Sequence, residues 1–326
     1  MINAAIVGLG WWGQMLVDAV QGKSTRITFT HAVVRDGARS QAAAVERGLE
    51  LSTDLDVVLA NSAVDAVVIA TPHSQHVDQC LRAARAGKQV FCEKPLSRST
   101  TEAVEIVRAC EAAGVTLAVG LNRRFLPGIA AMKDGLASGS IGQPLHVEGH
   151  YSAPTGFAFR QGNWRLADGE MPAGAMGATG IHLMDSMINM LGAISEVRAQ
   201  SLRHVLEGAD DTTLATFRFR CGATGQLASM IVTPLTHRLQ IYGTEGWICL
   251  TDETRLEVRT KENDPRVTWY DSGGTVQMEL EAFCDAVEGV APYPLSSADA
   301  VHGTQVLEAI ASSADRSGAL VTITQL

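Results

Sequence analysis

At 326 residues the chain is about twice the ordinary domain length, which sets two domains as the expectation. Hydrophobic residues at 46% and charged residues at 19% exclude a largely disordered chain. The net charge of −9, with its acidic surplus falling after residue 121, argues against nucleic acid and anionic membrane as partners; a few arginines could still hold a small anion.

The opening Met1-Ile2-Asn3-Ala4 lacks the basic start of a signal peptide and runs straight into a strand-like stretch. No apolar run approaches the roughly 18 residues that span a bilayer. Cys80, Cys92, Cys110, Cys221, Cys249 and Cys284 form no Cys-x-x-Cys pair, a spacing that suits reduced thiols and a cytoplasmic location.

After the first run, Ala4-Ala5-Ile6-Val7, the residues Trp12, Met15, Leu16, Ala19 and Val20 recur at helical steps. A strand over 27–34 and a helix over 39–48 follow, then a continuous apolar run over 64–70 that reads as a strand buried on both faces. Helix 76–86, strand 89–92, helix 100–113 and strand 115–120 complete the series. Strands alternating with helices predict a parallel sheet covered on both sides.

Past Pro127 the pattern changes. A helix near 128–138 leads into strand-like segments around 145–152, 195–204, 212–220, 225–233, 237–243, 246–250, 254–260 and 266–270. Gly222-Ala223-Thr224-Gly225 and Gly243-Thr244-Glu245-Gly246 look like hairpin connections. Leu214, Thr216 and Arg218 alternating with Ala215, Phe217 and Phe219 predict a sheet with two unlike faces. Helices near 181–191, 276–289 and 297–316 close the chain. The expected division is 1–121 and 122–326.

Gly8-Leu9-Gly10-Trp11-Trp12-Gly13 is the first chemical signal, because it follows a strand and opens a helix. The first glycine permits a tight turn, the second a close approach of backbone to a pyrophosphate, the third close helix–strand packing. A helix N-terminus adds free N–H groups for phosphate. Gly8, Gly10, Trp11, Trp12 and Gly13 are therefore candidates to hold a dinucleotide, NAD or NADP.

The choice between the two is read at the end of the second strand, Val33-Val34-Arg35-Asp36. Arg35, with Arg39, suits a 2′-phosphate and Asp36 a 2′-hydroxyl; the balance leans slightly to NADP. The second signal is Phe91-Cys92-Glu93-Lys94-Pro95 at a strand end. Strand C-termini face the ligand crevice in such sheets, so Lys94 should point toward the cofactor, as an ammonium beside a reacting oxygen or, with a lowered pKa, as a proton acceptor.

Together with Ala70-Thr71-Pro72 and His76, Trp164-Arg165, Gly174…Gly180-Ile181-His182…Asp185 and Pro294-Leu295…Gly318-Ala319-Leu320-Val321, these motifs resemble the glucose–fructose oxidoreductase / inositol dehydrogenase / MocA family over nearly the whole chain. The resemblance implies an α/β protein with an N-terminal Rossmann parallel sheet. An α+β domain with a large, mostly antiparallel open sheet follows, often used to form a homodimer or homotetramer. It also implies NAD(P)-dependent oxidation or reduction at a carbinol carbon of a sugar, cyclitol or related polyol. Lys94 would contact the reacting oxygen and His182 would be the acid/base. Thr71, Pro72, His76 and Glu93 would border the cofactor.

His182 sits where a small-residue loop enters a helix, and imidazole suits proton exchange near neutral pH. Many family members carry an aspartate four residues earlier, where this chain has Ala178. The departure admits Lys94 and His182 acting alone, a carboxylate relocated to Asp185 or Asp168, or lost catalysis; the intact surroundings favour the first.

Asn122, Arg124, Arg160, Trp164 and Arg165, beside Arg123, are the candidates for the substrate side, since arginine's planar fork suits a carboxylate or phosphate. His73 and His76 lack further ligands at metal spacing, so no metal is expected. Two other readings stand beside the polyol oxidoreductase. One is a dihydrodiol dehydrogenase acting on a carboxylated cyclic diol; the other is a non-catalytic NAD(P) sensor.

Overall fold

The computed structural model describes residues 1–167 and 169–325. The chain divides into two units, Met1–Asn122 with Gly274–Val301, and Arg123–Gly273 with the chain from His302 onward.

The first unit carries six strands: β1 (Ile2–Val7), β2 (Ile27–Val33), β3 (Glu50–Ser52), β4 (Ala66–Ile69), β5 (Gln89–Glu93) and β6 (Leu117–Gly120). They lie parallel in the order β3-β2-β1-β4-β5-β6. The order reverses between β1 and β4, which places the ligand crevice of such a sheet at the C-terminal ends of those strands. All four residues of β4 are fully buried, as the unbroken apolar run requires.

Helices α1 (Trp11–Val20), α2 (Gly37–Glu46), α3 (Leu55–Leu59), α4 (His76–Arg85) and α5 (Thr100–Ala113) connect the strands. The ends of α5 show how locally these are encoded. The Ser99 side chain accepts from the Glu102 amide at 3.3 Å, and Gly114 ends the helix at φ +65. The sequence pattern does not reveal β3 or α3, because three to five residues are too short to establish a period.

Helix α8 (Thr275–Val287) packs with this first unit, whereas the linear division places it in the second domain. Its Phe283 ring meets Phe91 edge-on, centroids 5.8 Å apart. Asp285 and Glu288 both pair with Arg26, and Glu281 accepts from Ser24. A boundary read from composition cannot see a helix that returns.

The second unit comprises α6 (Pro127–Ala137), β7 (Pro144–Ser152), α7 (Ile181–Leu191), β8 (Ile194–Leu202), β9 (Thr212–Phe219), β10 (Thr224–Met230), β11 (Thr236–Gly243), β12 (Gly246–Thr251), β13 (Arg255–Thr260), β14 (Arg266–Trp269) and β15 (Val321–Thr322). The last helix, α9 (Ser297–Asp315), begins in the first unit and ends in this one. The sheet runs β14-β13-β12-β11-β7-β10-β9-β8-β15, antiparallel throughout except where β7 and β10 lie parallel.

Helices α6 and α7 cover one face of this sheet. The other face is open: along β9, Leu214, Thr216 and Arg218 are exposed while Ala215, Phe217 and Phe219 are buried. A shallow hollow of about 630 Å³ on the open face is bordered by Glu148, His150, Arg198, Gln226 and Arg238.

Candidate active site

The glycine loop follows β1. Gly8 adopts φ +98, and a Cβ there would stand 2.6 Å from the backbone oxygen of Ala70. A Cβ on Gly13 would come within 2.0 Å of the Gly8 carbonyl oxygen. Gly10 is different, for a Cβ there meets nothing within 4 Å. Protein packing demands glycine at 8 and 13, whereas Gly10 leaves an open cradle at the start of α1.

No side chain caps that helix at Gly10, so its first-turn amides point out without an intrahelical acceptor. Trp12 Nε1 is also buried with no hydrogen-bond partner among the described residues, and its ring lies 5.6 Å from that of Trp11. Unused donors around a cradle that a side chain would fill fit a dinucleotide pyrophosphate. At the end of β2 the Asp36 carboxylate accepts from the Arg39 amide at 3.1 Å and caps α2, while Arg35 and Arg39 stand exposed.

Lys94 is half-buried at the C-terminal end of β5, and its amide donates to Glu93 Oε2 at 3.2 Å. Glu93 is buried, and its carboxylate packs against the bare Cα of Gly120, where a Cβ would sit 2.6 Å from Oε1. The peptide Lys94–Pro95 is cis.

His76 is fully buried, with Nδ1 2.9 Å from the Pro95 oxygen and Nε2 3.1 Å from the Thr71 oxygen. Both ring nitrogens thus face backbone, and the imidazole ties the loop after β4 to the loop after β5. It shapes the crevice and does not line it. Thr71 itself donates to Gln79 at 2.6 Å, and Pro72 precedes the single turn His73–Gln75. Among the described residues no group of three or more His, Cys, Asp or Glu could hold a metal.

In the second unit His182 lies in the first turn of α7 and is 8% exposed. The turn Met176–Gly180 before it is a π-helix, a distortion that re-aims the side chains that follow. Its small residues are explained by packing: a Cβ on Gly177 would meet the Pro172 oxygen at 2.6 Å, and one on Gly180 the Met176 sulfur at 2.4 Å. Thr179 Oγ1 and Ser229 Oγ pair at 2.7 Å and hold this turn to β10.

The Tyr151 ring stands 6.2 Å from that of His182 and 5.2 Å from that of His237, which it meets at 75°. Arg123 Nη2 donates to Tyr151 Oη at 2.9 Å, and its Nε to Glu253 at 2.9 Å. His237 is 2% exposed, and neither ring nitrogen has a hydrogen-bond partner among the described residues. Burial pushes its pKa down to about 4, a fall that Glu253 and Asp252 oppose and Arg123 assists. Sequence reading passed over Tyr151 and His237; only strand register brings them together.

The expected substrate arginines separate here. Arg124 gives Nε and Nη2 to the two oxygens of Asp185, each at 2.8 Å, and both side chains are buried. Arg124, expected on the substrate side, thus has two of its guanidinium nitrogens engaged by Asp185, and a third, Nη1, lies 3.5 Å from Asn189 Oδ1. Asp168, the other carboxylate considered, lies outside the described residues.

Arg165 stacks 4.2 Å over the Trp164 ring, and Arg160 is exposed, with Nη1 on the Phe157 oxygen. In the first unit the Asn122 side-chain amide donates to Thr275 at 3.4 Å.

Residues 2–121 match the family model described as an oxidoreductase family with NAD-binding Rossmann fold, and residues 129–249 match the GFO/IDH/MocA C-terminal domain. The 1,5-anhydro-D-fructose reductase of Ensifer adhaerens is 30% identical over 77% of this chain and 78% of its own length. The NAD(+)-dependent scyllo-inositol 2-dehydrogenase of Bacillus subtilis is 31% identical over 76% of this chain and 73% of its own. A levoglucosan dehydrogenase solved with NADH and levoglucosan superposes over all of both chains with TM-score 0.89 at 23% identity, a likeness of fold.

Proposed function

The chain belongs to the GFO/IDH/MocA oxidoreductase family, and we propose that its substrate is a sugar, cyclitol or related polyol, oxidised or reduced at one secondary carbon. The observation that carries this reading is Lys94, set at the mouth of β5 in the same parallel sheet whose β1 end presents the open Gly10 cradle.

When bound, the nicotinamide gives or takes up the hydride. Gly8, Gly10 and Gly13, with the amides of Trp11 and Trp12, would hold the pyrophosphate of the dinucleotide. Thr71, Pro72 and Glu93 border the crevice, and His76 fixes the two loops that carry them. Lys94 Nζ donates to the reacting oxygen and, as an ammonium, stabilises alkoxide charge on it. The His182 imidazole takes the hydroxyl proton during oxidation and returns it during reduction. Asn122 and Arg160 are polar contacts for neighbouring hydroxyls. Trp164, braced by Arg165, offers a flat face to the C–H surface of a ring.

A carboxylated cyclic diol is the weaker alternative, since Arg123 and Arg124 are committed to Glu253 and Asp185. Exposed Arg35 and Arg39 support the lean to NADP. All six cysteines are free and five are buried, which supports a reducing cytoplasm. No helix among the described residues is long and apolar enough to cross a membrane. The open sheet face, where Leu214 is 47% exposed, is the surface we assign to a homodimer or homotetramer.

A panel of sugars, cyclitols and arene dihydrodiols, followed by the absorbance of reduced nicotinamide, tests the substrate class. Lys94→Ala should lower kcat by about 10³-fold and leave cofactor Kd within about threefold. Wild-type rates in that variant reject the assignment.

A further inference from the structure

Tyr151 is fixed from three sides within the second unit. Arg123 holds its hydroxyl at 2.9 Å, with the guanidinium carbon 5.7 Å from the ring centre. His237, its register partner across β7 and β11, meets the ring edge-on. His182 lies 6.2 Å away, with its ring tilted at 49°. A phenol so constrained has little freedom to turn. Its ring is therefore a fixed part of the His182 surroundings.

We propose that Tyr151 is a positioning residue for His182, holding the imidazole in place and stabilising its protonated form through the ring face, with Arg123 and His237 fixing the tilt of that ring. This rests on the reading of His182 as the proton carrier. It assigns Tyr151 a task for which the position four residues before His182, being Ala178, carries no carboxylate. The two ring centres are 6.2 Å apart, at the outer edge of the range over which a cation is attracted by an aromatic quadrupole, an attraction stronger where water is excluded. Tyr151 is 7% exposed, so the attraction is poorly screened.

His237 fits the same arrangement. A buried imidazole without a hydrogen-bond partner is a poor packing residue, since a leucine of similar volume would bring no polar atoms to desolvate. Its ring stands at 75° to that of Tyr151, an edge-to-face arrangement that aromatic pairs prefer. Burial also keeps it neutral, so it does not repel a proton arriving on His182.

Among the described residues, the charged and titratable side chains on or beside the elements packed around α7 include the Arg124–Asp185 pair, Lys133, which donates to Asn189, Asp134 on α6, and His146, Glu148 and His150 on β7. The Arg123–Glu253 pair meets Tyr151 through the Arg123 guanidinium, and Glu253 and Asp252 act on His237. Tyr151→Phe and Tyr151→Leu leave every one of these charges in place.

The test compares Tyr151→Phe and Tyr151→Leu with His182→Ala, each checked by circular dichroism and thermal melting. Oxidation rates are read against pH at saturating cofactor. Tyr151→Phe keeps the ring face and should hold kcat within about threefold. Tyr151→Leu keeps apolar bulk and loses the face. Its kcat should fall about tenfold, with polyol KM within twofold, and the pH limb assigned to His182 should move about half a unit toward acid.

Should Tyr151→Leu fold poorly, Tyr151→Met, which also keeps apolar bulk and loses the ring, should shift the same limb the same way. A limb lost in His182→Ala but indifferent to Tyr151→Leu and Tyr151→Met overturns the positioning role alone. A limb that survives His182→Ala overturns the reading of His182 itself.

Discussion

Arg124 and Asp185, 61 residues apart, form a two-pronged ion pair with both contacts at 2.8 Å and both side chains buried. The pair anchors the chain just after β6 to α7, three residues beyond His182. Removing one partner leaves the other charge buried without compensation. Asp185→Asn and Arg124→Met should each cost about 3–5 kcal/mol in urea unfolding, whereas the double replacement Arg124→Met with Asp185→Leu should recover part of that loss. Equal stabilities in all four proteins would show that the pair contributes nothing.

The three glycines of the first loop should separate by phenotype. Gly13→Ala sets a methyl 2.0 Å from the Gly8 carbonyl oxygen, so the backbone must shift and the melting temperature should fall by several degrees. Gly10→Ala meets no protein atom within 4 Å, so its melting temperature should stay near wild type while NADH affinity drops about tenfold or more. Calorimetry on both variants reads the two effects separately. Unchanged affinity in Gly10→Ala would remove the cradle from the cofactor site.

The buried His237 should make stability depend on pH. Its folded pKa of about 4 lies below the ordinary 6.5, so the folded state binds fewer protons than the unfolded state between those values. Stability is full above about pH 6.5, declines as pH falls toward 4, and changes no further from this source below it. The loss should reach at most roughly 3 kcal/mol. His237→Leu should flatten that part of the profile in denaturant titrations run from pH 7 to pH 4. A slope identical to wild type would mean that another group causes it.

Cofactor preference should respond to Arg35. Its exposed guanidinium at the end of β2 suits a 2′-phosphate, while one oxygen of Asp36 is already engaged in capping α2. Arg35→Ala should weaken NADPH binding by about tenfold and change NADH binding less than threefold, as read by fluorescence titration. An equal effect on both cofactors would remove Arg35 from the ribose site.

The amino-acid order alone reveals those features whose physics is local. The glycine loop is legible because a strand, a turn with positive φ and a helix start are neighbours in the chain. The strand end before Lys94 is legible because the apolar run of β5 stops there, at Glu93. The hairpin between β9 and β10 declares itself through Gly222 and the alternation of Leu214 to Phe219.

Tertiary structure decided the rest, and the reason is that distant partners leave no mark in a local pattern. Arg124 reads as a free substrate arginine until Asp185 arrives from another helix. Tyr151 and His237 are unremarkable strand residues until register places them side by side. The return of α8 to the first unit depends on Phe283 and Asp285 finding Phe91 and Arg26. Each of these is a choice among partners of similar chemistry, and only the folded backbone, by fixing which side chains come within a few ångströms, makes it.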